Sequence, residues 1–84
     1  MNISKIKAVA NETRLQIIKI LSMTKELNVG ELEKAIKLSQ SAISQHLSVL
    51  RAAGLVKTRR QAQQIFYSVS DAKAASTADM LLKW

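Results

Sequence analysis

The side chains with the clearest chemical pattern lie between residues 40 and 48. They are amides and hydroxyls, which donate and accept hydrogen bonds without carrying charge, and no acidic residue lies among them. A solvated helix face usually carries Lys and Glu instead. Neutral donors and acceptors suit the edges of nucleic-acid bases. The alternative is an ordinary polar helix face that contacts only solvent. The residues are Gln40, Ser41, Ser44, Gln45 and Ser48.

One helix can position these side chains, and the sequence marks both of its ends. Ser39 suits the N-cap because its hydroxyl can accept a hydrogen bond from a free amide of the first turn. Gly54 suits the left-handed conformation that commonly follows a helix C-terminus. Apolar residues recur between them at i, i+4 and i+7, which predicts one buried stripe opposite the polar face. The predicted helix covers residues 40–53 and buries Ile43, Leu47 and Leu50.

Positive charge is concentrated around this helix. The chain has 13 basic and 6 acidic residues and a net charge of +7, yet no Asp or Glu lies between residues 34 and 70. A charge that serves only solubility is mixed in sign. A field of one sign over part of a domain indicates a polyanionic partner. The basic residues of this segment are Lys34, Lys37, Arg51, Lys57, Arg59 and Arg60.

The composition limits the other functions that the chain could have. Its 84 residues allow a single domain over residues 1–84, and its 4% aromatic content predicts an aliphatic core. The absence of Cys excludes disulfides, thiolate metal sites and thiol nucleophiles. With no phosphate-binding loop and no acid near the polar helix, we predict no enzyme, no cofactor and no metal. No apolar leader and no membrane-length run are found, so we expect a cytoplasmic protein.

Two helices are predicted before residue 24. The first is short and terminal, with its apolar stripe at Ile3, Ile6 and Ala10. The second begins after Asn11, whose side chain suits an N-cap, and its apolar residues predict that it is the most buried helix. Arg14 on this helix is expected to point away from the core.

The helix before the polar one is predicted to be joined to it by a very short turn. A polar connector at residues 24–28 leads into a helix that begins near Val29. Lys37 and Leu38 then form a turn before Ser39. Two helices joined in this way, the second with a polar outer face, are typical of a helix-turn-helix motif. An αα-hairpin in a small bundle is the alternative.

The pattern changes to β-structure after Gly54. Residues 55–60 and 64–69 are rich in β-prone side chains and predict a two-stranded hairpin with residues 61–63 as its loop. The loop has no Gly, Asn or Asp, so the turn signal is weak. A basic hairpin tip beside a polar helix is well placed to contact phosphates or a minor groove, although exposed arginines are often only solvated. The tip carries Arg59, Arg60 and Gln63.

A last helix is predicted from Ala72 to Trp84, with Asp71 as its cap. It is rich in apolar residues, as is the first helix, and a small domain has little core with which to cover both. We therefore predict that the two terminal helices form a dimer interface, with closure of the core by the last helix as the alternative. The residues assigned to that interface are Ile3, Ile6, Ala78, Leu81, Leu82 and Trp84.

These motifs resemble the ArsR/SmtB family of small bacterial winged-helix repressors over nearly the whole chain. Residues 10–15, A-N-E-T-R-L, are similar to the family's A-[ND]-x-x-R-L opening of its second helix. Within residues 38–56, L-S-Q-S, S-Q-H-L and L-R-A-A-G-L-V are similar to its recognition helix and following strand. Residues 61–67, Q-A-Q-Q-I-F-Y, are most similar to the HlyU-like branch. Other members usually have Gly in this loop.

The resemblance implies a fold and a mode of action. The fold would be mainly α with a small β-hairpin, a winged helix-turn-helix with four helices, two strands and a fifth helix. The protein would be a homodimer through its first and last helices, bound to a palindromic DNA operator and acting as a repressor. Helix 40–53 would enter the major groove, and the wing at residues 57–67 would lie on the backbone or in the minor groove.

The chain departs from the family at its metal sites. Residues 26–32, E-L-N-V-G-E-L, are similar to the family's E-L-C-V-C-[DE]-L, with Asn28 and Gly30 where the thiolates would stand. Soft metals need those sulfurs. The last helix has Asp71 and Asp79 but lacks the His of the family's second metal site, and the Cys pair of some HlyU-like sensors is absent. The resemblance therefore implies DNA binding and leaves the signal open.

The sequence thus predicts a regulator that binds double-stranded DNA, with a winged helix used for protein–protein contact as the alternative. Gln can bond adenine through two hydrogen bonds and Ser can serve either base. His46, the only histidine, is predicted to pack at the domain surface or to reach a phosphate. The full set assigned to DNA is Lys37, Ser39, Gln40, Ser41, Ser44, Gln45, His46, Lys57, Arg59, Arg60 and Gln63.

Overall fold

The computed structural model describes residues 7, 8, 10–70 and 76. In these residues the order of elements is helix, short strand, two helices and two strands. The predictions for residues 1–6 and, apart from Ser76, for the last helix from Ala72 lie outside the described residues, as do all six dimer-interface residues. The elements are α1 (Glu12–Met23), β1 (Leu27–Asn28), α2 (Val29–Ile36), α3 (Gln40–Ala52), β2 (Val56–Gln61) and β3 (Gln64–Val69).

Helix α3 has the predicted ends. The hydroxyl of Ser39 accepts a hydrogen bond from the Ala42 amide at 3.2 Å, which satisfies one of the free donors of the first turn. Gly54 has φ +77°, and the amide of Leu55 donates back to the Leu50 carbonyl at 2.9 Å. This is the hydrogen bond of a Schellman termination.

N-cap hydrogen bonds fix where α1 and α2, the two helices before α3, begin. The Asn11 side chain accepts from the Arg14 amide at 3.0 Å, as predicted. At α2, Asn28 accepts from the Glu31 amide at 2.9 Å and the Glu31 carboxylate accepts from the Asn28 amide at 3.0 Å. This reciprocal pair is a capping box, which the prediction missed although N-x-x-E is its sequence pattern. The turn before α3 contains Lys37 at φ +64°.

The sheet has three strands rather than the predicted two. The order is β1-β3-β2, with both neighbouring pairs antiparallel. The sequence predicts Leu27 and Asn28 in a polar connector, but they pair with Tyr67 and Phe66 of β3. The loop is shorter than predicted, because Gln61 pairs with Gln64 and leaves two residues.

The turn between β2 and β3 explains its weak sequence signal. Ala62 has φ +56°, and it is the first of the two turn residues. A positive φ at this position alone is the requirement of a type II′ hairpin turn, which usually has Gly there. The hairpin therefore forms through strand pairing with an alanine in a conformation that its Cβ disfavours.

The core is aliphatic and lies between the three helices and the start of β2. Its largest fully buried side chains come from α1, α2 and α3 and from Leu55, and those of α3 form the predicted stripe. In the N-terminal segment Ala8 is buried, whereas Ala10, predicted on the apolar stripe, is exposed. Among the described residues, no helix has the length and hydropathy of a membrane-spanning segment. The fully buried side chains are Ile17, Ile18, Leu21, Leu32, Ile43, Leu47, Leu50 and Leu55.

Candidate nucleic-acid interface

The outer face of α3 presents unpaired polar side chains to solvent. Its buried stripe fixes the helix, because the three side chains of that stripe are at most 1% exposed. The five amides and hydroxyls of the outer face are all exposed, and none bonds a described residue through its side chain. These groups are therefore available to a partner without breaking an internal contact. They are Gln40, Ser41, Ser44, Gln45 and Ser48.

The centre of this face can be located from the helix geometry. Ser41, Gln45 and Ser48 each lie two residues before a residue of the buried stripe. Two residues correspond to about 200° around an α-helix, so these three point directly away from the core. Gln40 and Ser44 lie beside them. Ser48 belongs to the polar face, but it was not in the set predicted to contact DNA. Its spacing of seven residues from Ser41 places both on the same face of the helix, so the sequence already indicated a contact role.

Three of the predicted contact residues have side-chain partners within the domain: Ser39, His46 and, on the wing, Arg59. The Ser39 hydroxyl is occupied as the α3 cap. His46 is half-buried, and its Nδ1 atom lies 3.4 Å from Nη1 of Arg14. His46 therefore packs against α1, which was one of the two alternatives for it.

Arg14 was predicted to point away from the core, but its side chain makes contacts within the domain. Its Nε donates to the Ala8 carbonyl at 2.6 Å, and Nη2 donates to the Lys7 carbonyl at 3.3 Å. Together with the His46 contact, these bonds connect the N-terminal segment, α1 and α3 through one guanidinium. The pattern around Arg14 gave no sign of this, because its partner on α3 is 32 residues away in sequence.

The cations near α3 and on the wing differ in their surroundings. Lys37, Lys57 and Arg60 are exposed, and their side chains make no hydrogen bond or ion pair with the residues that the structure describes. Gln63 is exposed in the turn. Arg59 instead bonds Glu26 through Nε at 3.1 Å and through Nη2.

The Arg59–Glu26 pair makes the surface around the wing less uniformly basic than the sequence predicts. The segment from residue 34 to 70 contains no acid, but the fold brings Glu26 to it from outside. The hydrogen bonds from Arg59 are the main reason why the pKa of the Glu26 carboxyl is lowered, and the charges of Arg59 and Lys25 act in the same direction. The same bonds raise the pKa of Arg59. The pair lines an open groove of about 940 Å³ between the end of α1 and the sheet.

The segment that resembles the family's thiolate site is used here for backbone capping. Asn28 caps α2, and its Nδ2 also donates to Oε1 of Gln64 at 3.2 Å. A Cβ at Gly30 would lie 3.4 Å from Oδ1 of Asn28. No group of three or more His, Cys, Asp or Glu suited to a metal ion occurs in the described part of the chain.

A buried, capped helix with an unpaired polar face, followed by a basic hairpin, is the arrangement of a winged helix-turn-helix. The family model of bacterial regulatory proteins described as the arsR family matches residues 11–58, which include all of this arrangement up to the first half of β2. The chain belongs to the arsR family. It is therefore a DNA-binding transcriptional regulator of the winged-helix type.

Relatives in this family are similar over most of the chain. The transcriptional activator HlyU of Vibrio cholerae is 50% identical over 76 residues, 90% of this chain and 69% of that protein. Its solved structure superposes with a TM-score of 0.85 at 47% identity, covering 96% of this chain and 87% of that one. The biofilm growth-associated repressor of Xylella fastidiosa is 42% identical over 76 residues, 90% of this chain and 66% of that protein.

The nodulation protein NolR of Rhizobium meliloti is 49% identical over 78 residues. The alignment covers 93% of this chain and 57% of NolR. The chain thus spans between 57% and 69% of the length of these three relatives. They are an activator, a repressor and a nodulation protein, so family membership establishes transcriptional regulation and not its direction.

Proposed function

We propose that this arsR-family regulator represses transcription by binding a two-fold-symmetric DNA operator as a homodimer. Helix α3 enters the major groove of each half-site, and the β2–β3 wing lies on the backbone or in the adjacent minor groove. The observation that carries this proposal is the outer face of α3, where exposed Ser and Gln side chains without internal partners among the described residues stand on a fully buried stripe.

The proposed contacts divide into base reading and backbone holding. Gln40, Ser41, Ser44 and Gln45 read base edges, because amides and hydroxyls match the donors and acceptors of the major groove. Phosphate contacts fix register without carrying sequence information, and Lys37, Lys57 and Arg60 are suited to them. Gln63 approaches the backbone from the wing tip. Ser39 and His46 support the helix from its cap and from its Arg14 side.

Repression follows if the operator overlaps a promoter, because the bound dimer excludes the polymerase. The similarity to the Xylella repressor supports repression rather than activation. Because HlyU is named an activator, the direction of regulation is to be tested by experiment. Binding to chromosomal DNA would locate the proposed activity in the bacterial cytoplasm. The chain is proposed to act without enzymatic chemistry.

The dimer is proposed through the terminal helices. Two helix-turn-helix units read a palindrome when their recognition helices lie one turn of DNA apart, about 34–36 Å. A single α3 covers only one half-site, so symmetric recognition requires a second copy of the chain.

The test is selection of bound sites from random DNA, with the mass of free protein and of the complex measured in the same buffer. We expect an enriched inverted repeat with half-sites about 10 base pairs apart and two chains per site. Enrichment of an unrepeated site by one chain would contradict the dimer. Loss of binding at physiological salt, with retention of an acidic protein partner, would favour the protein–protein alternative.

A further inference from the structure

Every side-chain nitrogen of Arg59 has a partner within the domain. Nε and Nη2 bond the two carboxylate oxygens of Glu26, and Nη1 donates to Oε1 of Gln61 at 2.9 Å. The guanidinium carbon also lies 4.9 Å from the centroid of the Phe66 ring. A two-pronged bond to a carboxylate combined with stacking on an aromatic ring holds a guanidinium in one orientation.

The neighbouring Arg60 has the opposite environment. It is exposed, and its side chain makes no polar contact with the residues that the structure describes. Successive side chains of a strand point to opposite faces of the sheet. Arg59 and Arg60 therefore face opposite sides of β2, and of these two arginines only Arg60 offers an unpaired guanidinium.

The position of Glu26 gives the pair a geometric role. Glu26 precedes β1, which pairs with β3, whereas Arg59 lies on β2 at the far edge of the sheet. The ion pair therefore spans the central strand. A second link joins the same segment to β3, because Asn28 donates to Gln64. Residues 26–28 thus hold both strands of the wing against the body of the domain.

We propose that Arg59 is a positioning residue that fixes the wing toward DNA through Glu26, and that Arg60 is the wing arginine that contacts phosphate. This inference rests on the proposed function, because it assigns roles within the same DNA complex. Using Arg59 for a phosphate would leave the Glu26 carboxylate unpaired beside an anionic backbone. The pair is partly exposed, with side-chain exposures of 50% for Arg59 and 24% for Glu26. Exposed pairs contribute little to stability, so orientation is its expected effect.

The decisive variant is E26Q/R59Q, which removes the pair and keeps the net charge of the parent. Its affinity for the selected operator is measured across a salt series beside the parent and R60Q. We expect E26Q/R59Q to bind about two- to tenfold more weakly at every salt concentration, the scale of one side chain's ordering, with an unchanged salt slope. R60Q should lower the slope by about 0.9 for each phosphate that Arg60 neutralises. A slope that falls in E26Q/R59Q as it does in R60Q would overturn the proposal.

A charge exchange supplies a second readout. The variant E26R/R59E again keeps the net charge and can remake an ion pair with the partners reversed. A positioning role predicts binding at least as tight as that of E26Q/R59Q. If Arg59 contacts phosphate, the carboxylate at position 59 repels the backbone and the exchange binds more weakly than E26Q/R59Q. That result would refute the inference. Far-UV dichroism and thermal melts verify that each variant is folded.

A measurement without DNA separates this inference from the proposed function. Amide hydrogen exchange in residues 56–69 should be faster in E26Q/R59Q than in the parent and unchanged in R60Q, because only the first removes a link between wing and body. Equal exchange in all three proteins would contradict the positioning role even if DNA binding is sound. If the parent binds no DNA, the proposed function fails and the exchange result still decides whether the pair positions the wing.

Discussion

The recognition helix and the outer part of the wing are held in place by different interactions. Helix α3 stands on Ile43, Leu47 and Leu50, which are at most 1% exposed, so apolar burial fixes its polar face. In the wing, only the first residue of β2 is buried and β3 is intermediate or exposed throughout. Its polar links run from residues 26–28 to Arg59 and Gln64. The base of the wing also packs on the core, through Val56 of β2 and Tyr67 and Val69 of β3. The surface proposed to read bases is therefore set by the core, whereas surface hydrogen bonds set the outer part of the wing.

The largest effect that would test this contrast is removal of a core side chain under α3. Leu50→Ala should lower the free energy of unfolding by about 2–5 kcal/mol, because a fully buried leucine leaves a cavity. The matched change in the wing is Ile65→Ala, at a side chain that is 43% exposed, and it should cost less than about 1.5 kcal/mol. Urea unfolding measures both. Similar losses at the two sites would mean that the wing is anchored by burial as well.

The next largest effect distinguishes base contacts made by α3 from phosphate contacts made by the wing. Gln40→Ala and Ser44→Ala should each reduce discrimination at one base by about 1–3 kcal/mol and leave binding to unrelated DNA nearly unchanged. Arg60→Ala should weaken binding to all sequences and lower the salt slope by about one. Competition assays with the operator and its single-base variants report both quantities. A uniform loss from the α3 changes would remove base reading from this helix.

A smaller effect concerns the turn that joins the wing strands. Ala62→Gly should stabilise the fold by about 0.5–1 kcal/mol, because relief of the positive φ exceeds the added chain entropy of glycine. The control is Ala35→Gly within α2, which should cost about 0.5–1 kcal/mol. Thermal unfolding detects both changes. A destabilising Ala62→Gly would show that the alanine conformation is not strained in the protein.

Soft metals and thiol oxidants should have no effect on DNA affinity, so they should not release the protein from DNA. The chain has no Cys, and Asn28 at the position of a family thiolate is occupied as a helix cap. The complex is titrated with zinc, cadmium, arsenite and peroxide in chelator-stripped buffer. Release by stoichiometric metal with an intact fold would reveal a ligand set that the described residues do not show.

The confirmed predictions have local causes, although the local N-x-x-E pattern of the α2 capping box was missed. The caps at Asn11, Ser39 and Gly54 and the buried stripe of α3 depend on residues within a few positions of one another. Sequence reasoning failed where the cause is distant: Glu26 meets Arg59 across 33 positions and Arg14 meets His46 across 32. Strand β1 was also missed, because two residues are too few for a period and only pairing with β3 defines them.

The strand order β1-β3-β2 has a consequence for how copies of the domain behave at high concentration. The outer strands of a sheet carry unsatisfied backbone groups and tend to pair with other molecules. Here one outer strand is only two residues long, and the other, β2, carries Lys57, Arg59 and Arg60. The short length of β1 protects the first edge. Repulsion between Lys57 and Arg60, whose side chains have no ion pair among the described residues, protects the second. We therefore expect the cations of β2 to oppose edge-to-edge association of unbound molecules.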